Sequence, residues 1–412
     1  MSYRFARVWL LAALAFGIDG ARAQAPPSAA PPASPAGAAS ATAFNPALSL
    51  ILSGTYANLS RDPDDYRIQG FLNPSDIGPG PRGFSLGESE LGMSANIDPY
   101  FYGAANIAIT PDNEAEVEEA FVQTTALGSG FTIKFGRFFS GIGYLNEQHA
   151  HTWDFVDAPL AYQAFLGTQL NDDGVQMRWL APTPLFLEFG AEIGRGSNFP
   201  GSERDKNGTG RGAVFAHLGG DWGDSSSWRA GISYMQVSPQ GRTDDAIDLA
   251  GNAVTNAFSG KSQLWIADFV WKWAPNGNPA RQNFKLQTEY FYRRESGTLT
   301  YDVAGAATPG GYSSRQSGTY VQAVYQFAPR WRTGLRYDLL DSGTVDLDGN
   351  AAVLAQVDAR PSRVAWMADY NPSEFSRIRL QLASDRARAG KSDNQVYVQY
   401  QMSLGAHGAH IF

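Results

Sequence analysis

The chain contains no cysteine and, beyond its first residues, no long apolar run. Without cysteine, no disulfide can stabilise its 412 residues, so hydrogen bonding and packing must do so. A membrane-spanning helix needs roughly 18–20 consecutive apolar residues, which no later segment provides. Two β-rich architectures need neither feature: a soluble domain, and a barrel closed by its own backbone hydrogen bonds.

The sequence also lacks the motifs of common catalytic sites. It has no nucleophile elbow, P-loop, dinucleotide-binding fingerprint or H-E-x-x-H zinc motif. His217 lies on a predicted strand with no partner indicated by the sequence, and a single strand histidine more often packs or lines a pore. We therefore predict that the chain is not an enzyme and needs no cofactor. Its net charge of -8 argues against a nucleic-acid surface.

The N-terminal residues 1–23 have the pattern of a secretory signal peptide. A positive region with two arginines precedes an apolar run that is too short to span a bilayer, and Ala23 ends a small-residue cleavage site. Residues 24–43 consist mainly of proline, alanine and serine, which predicts a disordered linker. Residues 44–412 form the predicted folded domain.

The chain is rich in aromatic residues and glycine, with 10 Trp, 18 Tyr, 24 Phe and 44 Gly. Aromatics favour strands, and glycine suits turns and crowded interiors. In LFLEFGAEIGR, residues 185–195, Leu185 and Phe189 fall on one face while Glu188 and Glu192 fall on the other. This period of two predicts a strand with an apolar and a polar face. The pattern recurs in about sixteen segments, among them 175–179, 284–293, 331–339 and 396–402.

The connections between these strands sort by length. Short turns alternate along the chain with mostly longer segments. The longer segments are 61–82, 142–172, 197–211, 240–261, 302–313 and 342–362. Short turns on one rim and long loops on the other are typical of outer-membrane barrels, in which the apolar face meets lipid and the polar face lines a lumen. We therefore predict an all-β fold, a transmembrane antiparallel β-barrel of about 16 strands with both termini in the periplasm.

The strand ends and the chain end agree with this prediction. Aromatics such as Trp179, Trp228 and Trp331 lie beside predicted turns, where an interfacial girdle would place them. Phe412 closes the last predicted strand and resembles the C-terminal signature that barrel-assembly machinery recognises in Gram-negative outer-membrane proteins. Outer-membrane lipid and this machinery are the expected partners.

The segment FTIKFGRFFSGIGYLNEQH, residues 131–149, resembles part of a known family. Its G-R-F at 136–138, followed by Gly143 and Asn146, is similar to the strand-to-loop segment of phosphate-selective (O/P-type) porins of Gram-negative bacteria. The next residues, HAHTWDFVD, do not match that pattern. The resemblance implies a passive outer-membrane channel for small hydrophilic solutes or ions, in a class in which homotrimers are common.

The resemblance also implies a constriction. In general porins the third extracellular loop folds into the barrel and narrows it, and the connection 142–172 is expected to do so here. The candidate constriction residues are Asn146, Glu147, His149, His151 and Asp154. The predicted strands place several basic residues on the lumen face: Lys134, Arg178, Arg229, Arg332, Arg336, Arg377 and Arg379. They either steer anions through the pore or pair with carboxylates and stabilise the wall.

His149 and His151 also support a metal hypothesis. Residues two apart in an extended segment point the same way, so an H-x-H pair can supply two imidazoles to Zn²⁺ or Cu²⁺. A zinc-linked outer-membrane uptake protein that uses this loop is therefore an alternative function. A closed-barrel adhesin or a rim enzyme is a second alternative.

Overall fold

The structure is a computed structural model, and part of the chain lies outside the residues that it describes. The described residues are 46–74, 77–111, 114–388 and 390–405. The predicted signal peptide, the predicted linker and Phe412 lie outside these ranges, so all three stay predictions. Among the described residues, no helix has both the length and the apolar character to cross a bilayer.

The described residues form a single antiparallel sheet. Its strand segments are β1 (Ala47–Leu59), β2 (Gly83–Leu86), β3 (Ser89–Asn96), β4 (Phe101–Ile109), β5 (Ala115–Thr124), β6 (Phe131–Phe139), β7 (Asn171–Leu180), β8 (Phe186–Gly194), β9 (Arg211–Trp222), β10 (Ser226–Val237), β11 (Arg242–Ile247), β12 (Ala253–Trp273), β13 (Asn283–Tyr301), β14 (Thr308–Ala328), β15 (Trp331–Asp346), β16 (Ser362–Ser373), β17 (Ser376–Asp385) and β18 (Asp393–Gly405). The helical elements are α1 (Leu160–Leu166) and short 3-10 turns at Ala150–Thr152, Pro275–Gly277 and Asp348–Ala352.

The sheet closes on itself into a barrel. β1 pairs with β18 on one side and with β2 and β3 on the other, which removes both free edges. β2 and β3 are two parts of one barrel strand, and so are β10 and β11, which both pair with β12. The segments therefore form sixteen strands around the wall, which confirms the predicted architecture.

The two faces of the wall have the polarity of a membrane barrel. On β15, Leu335 and Tyr337 point outward and are 58% and 48% exposed, whereas Arg336 and Asp338 point inward and are 2% and 0% exposed. This pattern is the reverse of that in a soluble protein, since apolar groups face out and charges face in. The alternation that the sequence predicts is thus confirmed, with lipid on the apolar side.

One predicted loop is wrong. Residues 240–261 were expected to form an open connection, but β11 pairs with the first residues of β12, from Arg242 with Phe258 to Ile247 with Ala253. Phe258 is fully buried against Leu299 and Tyr312 at the same end of the barrel. Strands β12–β14 have 19 to 21 residues, more than the ~9–11 that cross a bilayer, so this side of the barrel extends well beyond the lipid.

The connection between β6 and β7, residues 140–170, turns into the barrel and is called the inward loop below. It carries α1, which ends at Gly167 in the left-handed conformation that favours glycine. Every residue of α1 is buried, and Phe165 stacks on Phe291 of β13 with 5.8 Å between ring centroids. The main apolar cluster of the described residues therefore lies inside the barrel, between the inward loop and the wall.

Arginine substitutions on the outer face test which part of the wall lies in the lipid. Ile232 is 67% exposed near the middle of β10, and Ile247 is 62% exposed at the end of β11, beyond the bilayer. We expect Ile232→Arg to lower the free energy of unfolding by about 2–4 kcal/mol, the cost of arginine at the bilayer midplane. Ile247→Arg should change it by less than about 1 kcal/mol. Urea unfolding of the barrel in liposomes measures both, and equal losses would contradict this membrane placement.

Candidate functional site

The start of the inward loop is fixed by wall carboxylates. The backbone nitrogens of Tyr144 and Leu145 donate to the two oxygens of Glu289 at 3.0 and 3.1 Å, and the hydroxyl of Tyr162 also donates to Glu289 at 2.9 Å. Gly143 lies beside this carboxylate with a φ of +69°, and a Cβ there would lie 2.4 Å from a Glu289 oxygen. Gly143 therefore allows a close backbone approach to an acid on the wall.

Asn146 joins the two ends of the inward loop. Its amide nitrogen donates to the carbonyls of Ser140 and Leu170 at 2.8 Å each, and its amide oxygen accepts from the Leu170 nitrogen at 2.8 Å. The side chain is fully buried. Asn146, a candidate constriction residue in the sequence analysis, therefore has no exposed surface to offer a solute and acts in the framework of the loop.

The acidic residues of the inward loop pair with basic residues of the wall. Glu147 pairs with Arg178 of β7, which also lies 3.4 Å from Glu188. Asp154 pairs with Lys285 of β13 and lies 3.3 Å from Arg332 of β15. Each of these pairs joins a loop carboxylate to the inner face of a different strand.

Asp157 has a similar role that the sequence analysis missed. Its carboxylate lies 2.9 Å from Arg336 and 2.5 Å from Arg363 on the neighbouring strand, and it accepts from Gln381 at 2.8 Å. Burial alone would raise the pKa of Asp157, but the two guanidinium groups outweigh it and lower the pKa to about 2. For the same kind of reason, with Lys285 and Arg332 as the cations, the pKa of Asp154 is lowered to about 2. Both carboxylates are therefore ionised at neutral pH.

The predicted lumen bases mostly hold the loop in place. Arg178, Arg332 and Arg336 bind loop carboxylates, as described above. Three others donate to loop carbonyls: Arg229 to Gly143 at 3.3 Å, Arg377 to His151 at 2.9 Å, and Arg379 to Trp153 at 3.0 Å. Lys134 instead lies over the ring of Phe121, 4.4 Å from its centroid. Six of the seven predicted bases thus contact the inward loop directly.

The two histidines of the loop face acids of β3 and β5. His149 lies 3.1 Å from Glu90, 3.3 Å from Glu118 and 3.1 Å from Glu119. His151 lies 3.0 Å from Glu90. Burial lowers the pKa of His149, but hydrogen bonds to Glu118, Glu119 and Glu90 outweigh that effect and raise the pKa well above its ordinary value. Both histidines are candidate ligands from the sequence alone, whereas none of these three partners is.

A cavity of about 1380 Å³ remains beside the inward loop. His151, Trp153 and Val156 border it from the loop side, while Ser53 of β1 and Gln399 of β18 border it from the wall. Charged wall residues of both signs also line it: Glu88, Glu116, Glu118 and Arg137. Of the candidate constriction residues, His151 borders this space, whereas Glu147 and Asp154 are engaged with wall bases.

Solved structures with a similar fold are outer-membrane proteins. A loop L8 deletion mutant of OmpT from Vibrio cholerae matches with a TM-score of 0.53 at 11% identity, over 87% of this chain and 99% of that one. OmpT in its trimer form matches with 0.51 at 10% identity over the same shares. The outer membrane channel DcaP of Acinetobacter baumannii matches with 0.51 at 12% identity, over 87% and 96%. At these identities the likeness shows the fold alone.

A relative is also found by sequence. No protein-family model matches the chain. A protein of Aquifex aeolicus (strain VF5), described only as an uncharacterized protein, is 33% identical over 400 residues, which cover 90% of this chain and 80% of that protein. The chain therefore belongs to the same family as this Aquifex aeolicus protein, and its fold is that of porin-like outer-membrane β-barrels.

Proposed function

We propose that the chain is a porin of the Gram-negative outer membrane, through which small hydrophilic solutes or ions diffuse passively. The observation that carries the proposal is the inward loop, a charged segment held by ion pairs inside a sixteen-strand barrel. A barrel of this size encloses an aqueous lumen, and a loop fixed across it narrows the passage without closing the wall. The DcaP structure, described as a channel, shares the fold.

The narrowest passage runs, in this proposal, through the cavity beside the inward loop. Solutes there meet His151 and Trp153 on the loop side, and Glu118 and Arg137 on the wall side. Because both signs of charge border the space, selectivity depends on the local balance of acids and bases. Constriction by the loop is thus proposed at His151 and its neighbours rather than at Asn146.

The phosphate selectivity that the sequence resemblance implies receives less support. A phosphate pathway needs basic groups that face the solute. Here Arg332 is paired with Asp369 and Arg336 with Asp157, while Arg379 binds both Asp369 and the carbonyl of Trp153. We therefore propose a channel without a dedicated phosphate site. No contact of the described residues specifically favours an adhesin or a rim enzyme.

Assembly is a further part of the proposal. One of the fold relatives is described in a trimer form, and the porin class commonly forms homotrimers. A homotrimer in outer-membrane lipid, inserted by barrel-assembly machinery that recognises Phe412, is the corresponding expectation. Size-exclusion chromatography with light scattering on the folded protein measures the oligomeric state directly.

Single-channel recording tests the channel proposal. Wild-type protein in planar bilayers should give discrete conductance steps, and a variant in which a short Gly-Ser linker replaces residues 148–166 should give larger ones because the lumen is no longer narrowed. Retained heat-modifiable mobility in electrophoresis shows that the variant barrel has folded. An absence of steps from folded wild-type protein would overturn the porin proposal, and equal step sizes would overturn the role of the loop.

Asp157→Asn tests the anchoring of the inward loop. The change removes the counter-charge shared by Arg336 and Arg363, which are both about 2% exposed or less at the side chain. Breaking a buried pair costs about 3–5 kcal/mol, and the low end is expected because Asp338 still contacts both arginines. Urea unfolding should show this loss, and recordings should show a noisier open current.

Asp341→Asn is the matched control for this variant. Asp341 lies 3.8 Å from Arg360 at the surface, where the two side chains are 42% and 75% exposed. An exposed pair of this kind contributes about 0–1 kcal/mol, so the control should unfold like the wild type and conduct like it. If Asp157→Asn behaved like this control, the inward loop would not depend on the anchor assigned to Asp157.

A further inference from the structure

Glu90, His149 and His151 bring three potential metal ligands together where the inward loop meets β3. One oxygen of Glu90 lies 3.0 Å from Nδ1 of His151 and 3.1 Å from Nδ1 of His149. All three ligand atoms lie within 4.8 Å of one another. With bonds of about 2.0–2.1 Å from zinc to nitrogen or oxygen, neighbouring ligand atoms in a tetrahedron are about 3.3 Å apart. The cluster is therefore close to the size that such an ion requires.

β5 contributes a fourth candidate ligand through a β-bulge. The pairing of β5 with β4 shifts register between Asn106 and Ile107, which leaves Glu118 as the extra residue. Val117 and Ala120, on either side, both face outward. The bulge therefore lets two consecutive glutamates, Glu118 and Glu119, point into the lumen. A regular strand would turn one of them toward lipid.

The hydrogens of the two imidazoles are too few to satisfy all the carboxylate oxygens that face them. Nδ1 of an imidazole carries at most one hydrogen, yet Nδ1 of His149 faces both Glu90 at 3.1 Å and Glu118 at 3.3 Å. Metal binding requires neutral imidazoles, and three carboxylates, those of Glu90, Glu118 and Glu119, lie within 3.3 Å of the ring nitrogens of His149. The excess of negative charge is what a divalent cation would neutralise.

The other nitrogen of His149 is already positioned as in metal sites. Nε2 lies 3.1 Å from Glu119, whose carboxylate also accepts from Asn106 at 3.3 Å and from the Phe139 nitrogen at 3.2 Å. A carboxylate on the far nitrogen fixes the ring and its tautomer and makes the near nitrogen a better ligand. His149 thus has the outer support that a ligating histidine needs, with Nδ1 left to face Glu90.

We propose that Glu90, His149 and His151 bind a divalent transition-metal ion of the zinc class, with Glu118 beside the fourth position. The ion would join the inward loop to the wall formed by β3 and β5, whereas the Asp157 anchor joins it to β15 and β16. His151 and Glu118 border the cavity, so the site is reachable from solution. The inference goes beyond the channel proposal, because neither conductance nor solute diffusion requires a metal.

Isothermal titration of the full folded chain with Zn²⁺ tests the site. The wild type should bind one equivalent saturably, and both His149→Ala/His151→Ala and Glu90→Gln should weaken this binding at least about tenfold. His217→Gln is the matched control, since His217 is another buried lumen histidine, 3.1 Å from Glu188 but outside the cluster. The control should bind Zn²⁺ as the wild type does.

Two results of the titration would overturn the metal site. One is a wild-type protein that shows no saturable Zn²⁺ binding, and the other is a folded Glu90→Gln variant that binds Zn²⁺ as tightly as the wild type. Glu90→Gln keeps the shape of the side chain, which keeps the test valid if the double histidine variant does not fold. Electron paramagnetic resonance with Cu²⁺ should show nitrogen couplings from two imidazoles, and their absence would also contradict the proposal. These readouts do not depend on conductance, so the metal site and the porin proposal fail separately.

Discussion

This structure depends on one constraint, which is that backbone N–H and C=O groups inside a bilayer have no water with which to form hydrogen bonds. Inside a bilayer each unpaired N–H or C=O group costs several kcal/mol, so a β-sheet can span the membrane only if its edges meet. The pairing of β1 with β18 meets this requirement and makes disulfides unnecessary. Closure also decides the polarity of the wall, because each strand then has one face toward lipid and one toward the lumen.

Closure of the wall places many charged side chains inside the barrel. Charged side chains on the inner face cannot reach bulk water wherever the inward loop covers them, so they need partners. The loop supplies acids to the basic wall strands, through Asp154 and Asp157, and histidines to the acidic wall strands, through His149 and His151. The loop is thus held to two parts of the wall by two kinds of polar contact, and residues of β1 and β18 border the cavity that remains beside it.

The sequence predicted the strand pattern and the inward charges because both follow from a period of two along single strands. It did not predict the β11–β12 hairpin, since RTDDAI is polar and reads as a loop until Phe258 is seen to pack on other strands. It also missed the partners of Asp157 and His149. These contacts join residues 30 to more than 200 positions apart, and they exist only after the barrel has closed. The bulge at Glu118 shifts the alternation along β5 by a single residue, and it is visible only in the pairing of β5 with β4.

The central claim is that solutes pass beside the inward loop, and the absence of native cysteine allows a direct measurement. A single cysteine at Val156, which borders the cavity, can be modified with a bulky thiol reagent during single-channel recording. We predict a stepwise fall in current on modification, and no change when the single cysteine replaces Val303, which is 40% exposed in the turn between β13 and β14 and is not among the residues that border the cavity. An unaltered current after complete modification at residue 156 would contradict the account.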